Sequence, residues 1–325
     1  MRGSVGKVRA RRIISAACVT ALAVFGALLS SPQAADELAE ARSLLTAGKL
    51  AEAEAALRKD VAQSPSSASA HFLLGYVLFR EQKAKESLAE FTAGAKYRRP
   101  VAGELKVVAS DYILLGDFGD ADKWFTEVVA EKPQDGDAWY LLGRTKFNEN
   151  DFDTARTDFE HVLTLRPHYV EAENNVGLCW KELNNTDKAE AAFQTAIDWQ
   201  GDTPSDEQPF LNLGTLLVGE NEVAKAIPYL TKAGELAPRN PRIHEELGQA
   251  YIAQQDLPHA QAELEKAVAL APEISALHFK LGQIYRKEGL QDRAQHEFDI
   301  CSKLNSTHSS PSTPNPLTLG GSAPH

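Results

Sequence analysis

Apolar residues between positions 136 and 169 recur at intervals of three and four in two separate blocks. Such spacing puts the apolar side chains of each block on one face of an α-helix. A polar stretch from Asn148 to Asp151 separates the blocks, and Pro167 follows the second one, where its ring ends a helix. The pattern therefore predicts two helices joined by a short turn. The apolar residues are Trp139, Leu142 and Phe147, then Phe152, Ala155, Phe159, Val162 and Leu163.

The same skeleton recurs along most of the chain with a period of 34 residues, in units that begin near residues 34, 68, 102, 136, 170, 207, 241 and 275. A single helical hairpin cannot bury its own apolar face, so such units are expected to stack. The eighth place of the unit is always small: Ala41, Gly75, Ala109, Gly143, Gly177, Gly214, Gly248 and Gly282. The twenty-fourth place is always large and apolar: Leu57, Phe91, Phe125, Phe159, Phe193, Leu230, Leu264 and Phe298.

These positions resemble the tetratricopeptide repeat family, whose unit is a helix-turn-helix of 34 residues. The resemblance implies an all-α fold, a right-handed solenoid of about eight repeats over residues 36–304. The pattern departs at Glu37, where a large residue is expected, at Pro100, one place late, and at an insertion around Pro204. Prolines close five units at the same place: Pro65, Pro133, Pro167, Pro238 and Pro272.

Residues 1–35 differ in kind from the repeats. Five basic residues and no acidic ones are followed by an apolar run from Ile13 to Leu29, then by small and polar residues up to Ala35. This order is typical of a secretory signal peptide. The apolar run also reaches the lower limit for a membrane span, so an uncleaved signal anchor is the alternative. We therefore expect an exported bacterial protein, either periplasmic or held at the inner membrane by this segment.

The net charge of the chain limits the classes of partner that it can bind. The chain carries a formal net charge of −11, which becomes −16 without its basic first 35 residues. An acidic surface is repelled by phosphate backbones and by anionic lipid, so we expect no nucleic acid as partner. Cys179 and Cys301 lie more than three units apart at packing places, which predicts that both are small core residues and not a disulfide.

The sequence changes again after Leu304. It becomes rich in serine and proline without a period, which predicts a disordered tail over residues 306–325. Such a tail supplies no further helix to cover the last repeat. We therefore expect apolar groups of the last helix to be partly open, and to allow self-association through the C-terminal repeat or docking of the tail through Leu317 and Leu319. The groups are Phe298, Ile300, Cys301 and Leu304.

Residues suited to catalysis or metal binding are scattered. His71, His244 and His278 occupy the fourth place of three different units, which predicts half-buried packing residues without a carboxylate in common. His161 and His168 have no third ligand nearby in the sequence. Neither a nucleophile motif nor a phosphate-binding glycine loop is present. We predict that the protein is not an enzyme and uses neither metal nor cofactor.

The family resemblance implies where a ligand would bind. In tetratricopeptide repeats the first helix of each unit lines a concave groove, through its second, fifth, sixth, ninth, twelfth and thirteenth places. Asn175 and Asn212 share the sixth place of neighbouring units, and an amide there can pair with a peptide group of an extended ligand. The alternative is a set of solvated polar residues without a ligand. The candidate peptide-binding residues are Tyr140, Arg144, Phe147, Asn174, Asn175, Lys181 and Asn212.

The second unit has an aromatic first helix with two interpretations. Phe72, Leu73, Tyr76 and Phe79 either contact apolar side chains of a partner or pack against the first unit, and we favour packing. For the whole chain we predict a non-catalytic adaptor that binds an extended peptide or a helix of a partner protein in the cell envelope. The alternative is a structural assembly subunit that acts through contacts between arrays.

Overall fold

The computed structural model describes residues 38–308, with side chains to residue 306. The segment 1–35 and most of the predicted tail therefore lie outside the described residues. In the described part, sixteen α-helices follow one another and no strand is present. They are α1 Ala39–Thr46, α2 Leu50–Gln63, α3 Ala68–Arg80, α4 Ala84–Ala95, α5 Ala102–Leu115, α6 Phe118–Glu131, α7 Gly136–Asn148, α8 Phe152–Leu165, α9 Val170–Glu182, α10 Thr186–Asp198, α11 Gln208–Gly219, α12 Val223–Leu236, α13 Pro241–Ala253, α14 Leu257–Leu270, α15 Ser275–Lys287 and α16 Gln291–His308.

The chain divides between Ala192 and Phe193 into two compact units. The first contains the hairpins from α1–α2 to α7–α8 and also α9, and the second contains the hairpins from α11–α12 to α15–α16. Helices α3, α5, α7, α9, α13 and α15 begin at the residues where the periodicity starts a repeat, and α11 begins one residue later. The prediction of an all-α helical repeat solenoid is confirmed, whereas its handedness stays a prediction.

The helices of a hairpin cross where the small eighth place meets the large twenty-fourth place. A Cβ atom on Gly75 would lie 2.8 Å from the ring of Phe91, and one on Gly214 would lie 2.6 Å from Leu230. Protein interiors do not tolerate such approaches without displacement of a neighbour. The small residue at this place is therefore a packing requirement of each hairpin, since it lets the large residue lie against the backbone of the first helix.

The turn between the two helices of each hairpin has a left-handed residue at one fixed place, the fifteenth. Three of these residues are glycines, and the other five are asparagine or glutamine; asparagine adopts positive φ more readily than most residues. The turn is therefore as regular as the helices, although its sequence varies. The residues are Gly48, Gln82, Gly116, Asn150, Asn184, Asn221, Gln255 and Gly289.

The last helix of the array is longer than predicted. Helix α16 continues to His308, so the boundary predicted at residue 306 lies inside the helix. Ser306 donates a hydrogen bond from Oγ to the carbonyl oxygen of Lys303, and the first proline of the tail comes only at Pro311. None of the described helices is long and apolar enough to cross a bilayer.

Candidate peptide-binding surface

The candidate residues are divided between the two units. Tyr140, Arg144 and Phe147 lie on α7, and Asn174, Asn175 and Lys181 lie on α9, all in the first unit. Asn212 lies on α11 in the second unit. The part of the surface that can be described as one site is therefore formed by α7 and α9, two neighbouring first helices.

Tyr140 is the centre of this surface. Asn175 donates a hydrogen bond from Nδ2 to the Tyr140 hydroxyl oxygen at 3.0 Å. The Tyr140 ring lies 5.6 Å from the Phe159 ring and 5.6 Å from the Tyr169 ring, in tilted or edge contacts that aromatic pairs prefer. The guanidinium carbon of Arg144 lies 5.9 Å from the centre of the same ring. We call Tyr140, Arg144, Tyr169 and Asn175 the Tyr140 cluster.

Equivalent asparagines have different environments. Asn175 is half-buried, whereas Asn212, at the same place of the next repeat, is only 7% exposed, and Asn174 is 6% exposed. A buried side chain offers little of its amide to a ligand, because the neighbouring helices already cover it. Asn175 is thus the best placed of the three for contact with a peptide.

Phe147 and Lys181 lie at the carboxyl ends of α7 and α9. The Phe147 ring makes an edge contact with Phe152 across the turn of its own hairpin, with the ring centres 5.2 Å apart. Both side chains are half-buried. Phe147 therefore contributes to the fold of the hairpin and leaves part of its surface for a ligand.

Residues that the sequence did not single out complete the cluster at its edge. Tyr169 lies in the loop after Pro167, and burial, reinforced by nearby Tyr140, raises the pKa of its hydroxyl. Arg166 lies 5.9 Å from the Tyr169 ring centre and donates from Nη1 to Asp137 Oδ1 at 2.7 Å. The hydrogen bond to the carboxylate of Asp137 raises the pKa of Arg166, which stays cationic. The only sequence signal for this edge is an aromatic residue between a closing proline and the next repeat.

The aromatic first helix of the second repeat is explained by packing. Phe72 and Leu73 are 3% exposed, and Tyr76 is also buried. Phe72 and Tyr76 belong to a core cluster with Phe91 and Val107, against which Phe79 packs. These residues contribute to the interior of the first of the two compact units. The interpretation of this helix as a surface for a partner is therefore not supported.

The fourth-place histidines are buried, not half-buried as predicted, and each has a carboxylate of its own repeat. Nδ1 of His71, His244 and His278 lies 2.7, 2.6 and 2.6 Å from a glutamate oxygen nineteen residues later. Nε2 lies 3.0, 3.0 and 2.9 Å from the carbonyl oxygen of the closing proline six residues earlier. The glutamates are Glu90, Glu263 and Glu297, and the prolines are Pro65, Pro238 and Pro272. We call this arrangement the histidine clasp; it joins a repeat to the end of the preceding one.

The remaining candidates for chemistry are metal ligands and the two described cysteines. Among the described residues, no group of three or more His, Cys, Asp or Glu could hold a metal ion. Cys179 is buried, and burial raises the pKa of its thiol to about 12, which makes it unreactive as a nucleophile. Cys301 is a free thiol, half-buried on α16.

Comparisons with known proteins agree with this architecture. Tetratricopeptide repeat models match residues 38–100, 140–207 and 217–284, together more than half of the chain. A curated relative, protein FlbA of Caulobacter vibrioides, is 29% identical over 123 residues, which are 38% of this chain and 20% of FlbA. The chain thus spans about a fifth of the length of that relative.

Two solved structures of similar fold cover most of this chain. A tetratricopeptide repeat protein from Parabacteroides merdae has a TM-score of 0.61 at 20% identity, and the match covers 83% of this chain and 99% of that one. PilW, a type IV pilus biogenesis factor, has a TM-score of 0.56 at 19% identity, over 64% of this chain and 95% of its own. At these identities the likeness shows the fold alone.

Proposed function

This chain belongs to the tetratricopeptide repeat family, and we propose that it is a non-catalytic adaptor that binds an extended peptide segment of a partner protein at the Tyr140 cluster. The family fold is that of a protein-interaction scaffold. Its members are generally not enzymes. The binding of an extended peptide at the Tyr140 cluster is what we propose beyond the family fold.

The observation that carries the proposal is the set of different chemical groups that α7 and α9 bring together. Asn175 uses its Nδ2 for Tyr140, and its amide oxygen can accept a hydrogen bond from a peptide N–H. The half-buried Tyr140 offers an aromatic face to a side chain of the ligand. Arg144 and Lys181 add positive charge for a carboxylate. Together these groups fit a peptide backbone with an acidic side chain.

The location of this adaptor is a second part of the proposal. The basic start and apolar run of residues 1–35 support export across a bacterial inner membrane, with the repeats in the periplasm. If residues 1–35 instead remain as a membrane anchor, the repeats still lie on the periplasmic side of the inner membrane. Fractionation of cells that produce the full chain, with protease added to spheroplasts, tests both forms; a protein protected with the cytoplasm would contradict export.

Substitutions on α7 and α9 test the surface, with a control substitution on α8. Asn175→Ala removes the amide and should weaken partner binding by about 0.5–1.5 kcal/mol, because a neutral hydrogen bond contributes about this much. Adding Arg144→Ala should weaken it further. The matched control is Thr157→Ala on α8, an exposed residue whose hydroxyl bonds only to the carbonyl oxygen of Asp153.

The measurement is retention of partner proteins from envelope extract on the full chain and on each variant, together with thermal unfolding. We expect reduced retention for the α7 and α9 variants, with stability lowered only by the loss of the hydrogen bond from Asn175 to Tyr140, and parental retention for the control. Equal retention by the parent and the double variant would show that the Tyr140 cluster is not the binding surface.

A further inference from the structure

The last repeat differs from the others in the exposure of its second helix. At the twenty-seventh place, five successive repeats have side chains that are 0% exposed, whereas Cys301 is half-buried. At the twenty-fourth place the residues of the seven earlier repeats are 0–3% exposed, whereas Phe298 is half-buried. We call the surface formed by these two places the repeat seam. The five residues are Val128, Val162, Ala196, Ala233 and Ala267.

The internal seams for which a core cluster is described are covered by the first helix of the following repeat. Phe125 and Val128 form one core cluster with Ala138 and Leu142 of α7. Phe159 forms another with Val176 and Cys179 of α9. In the second unit, Leu264 packs with Leu281 and Ile284 of α15. The occupant of a repeat seam is therefore an α-helix with an apolar stripe, because every seam for which a cluster is described is filled in this way.

The first helix of the last repeat is open at the same side. Phe279, at the fifth place of α15, is 48% exposed, and its ring centre lies 5.8 Å from that of Phe298. The equivalent residues Phe72 and Leu211 are 3% and 1% exposed. No helix follows α16 in the described part of the chain. Two phenylalanines and Cys301 thus form one apolar surface that has the composition of an internal seam without its covering helix.

We propose that this terminal seam binds an amphipathic α-helix of another protein in place of a ninth repeat. The chemistry of the helix follows from two internal seams that carry phenylalanine, those of Phe125 and Phe159. Helix α7 covers Phe125 with Ala138 and Leu142, and α9 covers Phe159 with Val176 and Cys179. Thr145 and Ala172, at the remaining places of the two stripes, are also buried. The expected partner helix has a small residue, an aliphatic residue four positions later and a small residue three positions after that.

A second copy of this chain is a poorer occupant. In the described residues, the corresponding stripes of the first helices from α3 onward are built into the repeat junctions, as shown by Ala138, Leu142 and Thr145, which are at most 4% exposed. Helix α1, the first of the array, has exposed Glu40 and Ser43 at the seventh and tenth places instead. A second copy therefore has no described helix with the required stripe free to cover the seam.

A peptide tests the proposal. The probe is a capped, labelled peptide of residues 136–148, which covers the Phe125 seam in the structure, titrated against the full chain and followed by fluorescence anisotropy. An isolated helix of this length is marginal in water, so we expect saturable but weak binding, with Kd on the order of 0.1–1 mM. The same peptide with Leu142→Glu should not bind, because the substitution puts a charge on the buried stripe.

Variants of the chain locate the binding. Cys301→Arg puts a charge in the seam and should weaken binding of the probe about tenfold or more, since an unpaired charge is costly to bury. The matched control Ser306→Arg adds the same charge to an exposed place of α16 outside the two places that form the seam, and should bind as the parent does. Phe279→Ala, a change at an exposed side chain that leaves the hairpin crossing intact, should weaken binding about threefold to tenfold.

Three results would overturn the proposal. Undiminished binding by both Cys301→Arg and Phe279→Ala would place the probe elsewhere. Sedimentation of the parent as a dimer that Cys301→Arg dissociates would make a second copy the occupant. Binding that appears only after removal of residues 309–325 would make the tail the occupant. Retention of partner proteins is measured with variants of the Tyr140 cluster. A negative result at the terminal seam therefore does not contradict peptide binding at the Tyr140 cluster.

Discussion

Two repeats with the same outline, residues 136–169 and 241–274, join their neighbours by different chemistry. In the second, His244 lies between Glu263 and the carbonyl oxygen of Pro238. In the first, Trp139 occupies the place of the histidine and donates from Nε1 to the carbonyl oxygen of Pro133 at 2.9 Å. The tryptophan keeps the contact with the proline and loses the contact with the acid, since an indole has a single N–H donor.

The acid that corresponds to Glu263 in the first of these repeats is Asp158. It is 6% exposed, and its Oδ2 has no hydrogen-bond partner. Burial raises the pKa of Asp158 to about 7, although Lys146 offsets part of the effect. Burial also opposes ionisation of Glu263, but hydrogen bonds from Lys266 and His244 hold its pKa below the ordinary value. One place in the repeat thus carries a costly carboxylate or a stabilising one, depending on whether hydrogen-bond donors such as Lys266 and His244 surround it.

The largest expected effect comes from Asp158→Asn. The folded-state pKa lies above the ordinary value, so the aspartate reduces stability as pH rises from about 4 to 7, after which the cost is constant. The amide should therefore stabilise the chain at pH 8 by on the order of 1–3 kcal/mol and have little effect at pH 4. Denaturant unfolding at several pH values measures this.

The control for that experiment is Asp153→Asn, an exposed position on the same helix. Asp111 gives the parent a slope of the same sign, because burial raises its pKa to about 7 as well. A gain from Asp158→Asn that is equal at pH 4 and pH 8 would contradict the assignment of the cost to ionisation.

The same kind of change in the other repeat should have the opposite sign. Glu263→Gln removes a charge that Lys266 and His244 stabilise, and should destabilise the chain at pH 7 by about 1–2 kcal/mol. The folded-state pKa lies below the ordinary value, so this contribution is present above the unfolded-state pKa and is lost as pH falls through the folded-state pKa. Unfolding curves of Glu263→Gln and of the exposed Glu235→Gln are compared; a stabilising effect of Glu263→Gln would refute the comparison.

Transplanting the clasp sharpens the comparison. Trp139→His combined with Asp158→Glu places a histidine and a glutamate at the clasp positions of the repeat 136–169. The double change should be more stable than the sum of the single changes predicts, with a coupling of about 1 kcal/mol, since each change alone leaves one polar group unpaired. A double-mutant cycle at pH 7 measures the coupling, and a value near zero would mean that the clasp needs more than these two residues.

The smallest effect is expected for Trp139→Phe. The phenylalanine keeps most of the apolar surface and removes the indole N–H that bonds to Pro133, so the cost should be about 0.5–1.5 kcal/mol. The matched control is Trp180→Phe on α9, where the half-buried ring centre lies 4.6 Å from the guanidinium carbon of Arg156 and 4.0 Å from Nζ of Lys188. Thermal unfolding compares the stabilities of the two variants. Equal losses of stability would show that the hydrogen bond from Trp139 to Pro133 contributes nothing.

The Tyr140 cluster shows how far a candidate site can be predicted from sequence. Tyr140, Arg144 and Asn175 lie on the first helices of their repeats, as predicted, because the register of a repeat determines which helix carries each residue. The register did not separate Asn175 from Asn212, which share a place but differ in burial. Tyr169 was missed, since it lies in a loop whose contacts with Tyr140 come from folding across 29 residues.

The sequence by itself determined the repeat, its phase and the helical class of the fold. The reason is steric and local: small eighth places and large twenty-fourth places, such as Gly75 and Phe91, can pack only in a hairpin of two helices. Apolar spacing of three and four then selects helices over strands.

Tertiary structure alone decided which polar groups have partners and which surfaces stay open. His244 finds Glu263 nineteen residues later and a carbonyl oxygen six residues earlier, a pairing that no local pattern announces. Phe279 and Phe72 have the same place and residue type, yet one is 48% exposed and the other 3%. The physical reason is that burial is a property of the neighbouring repeat and not of the residue, so the same place is core inside the array and surface at its end.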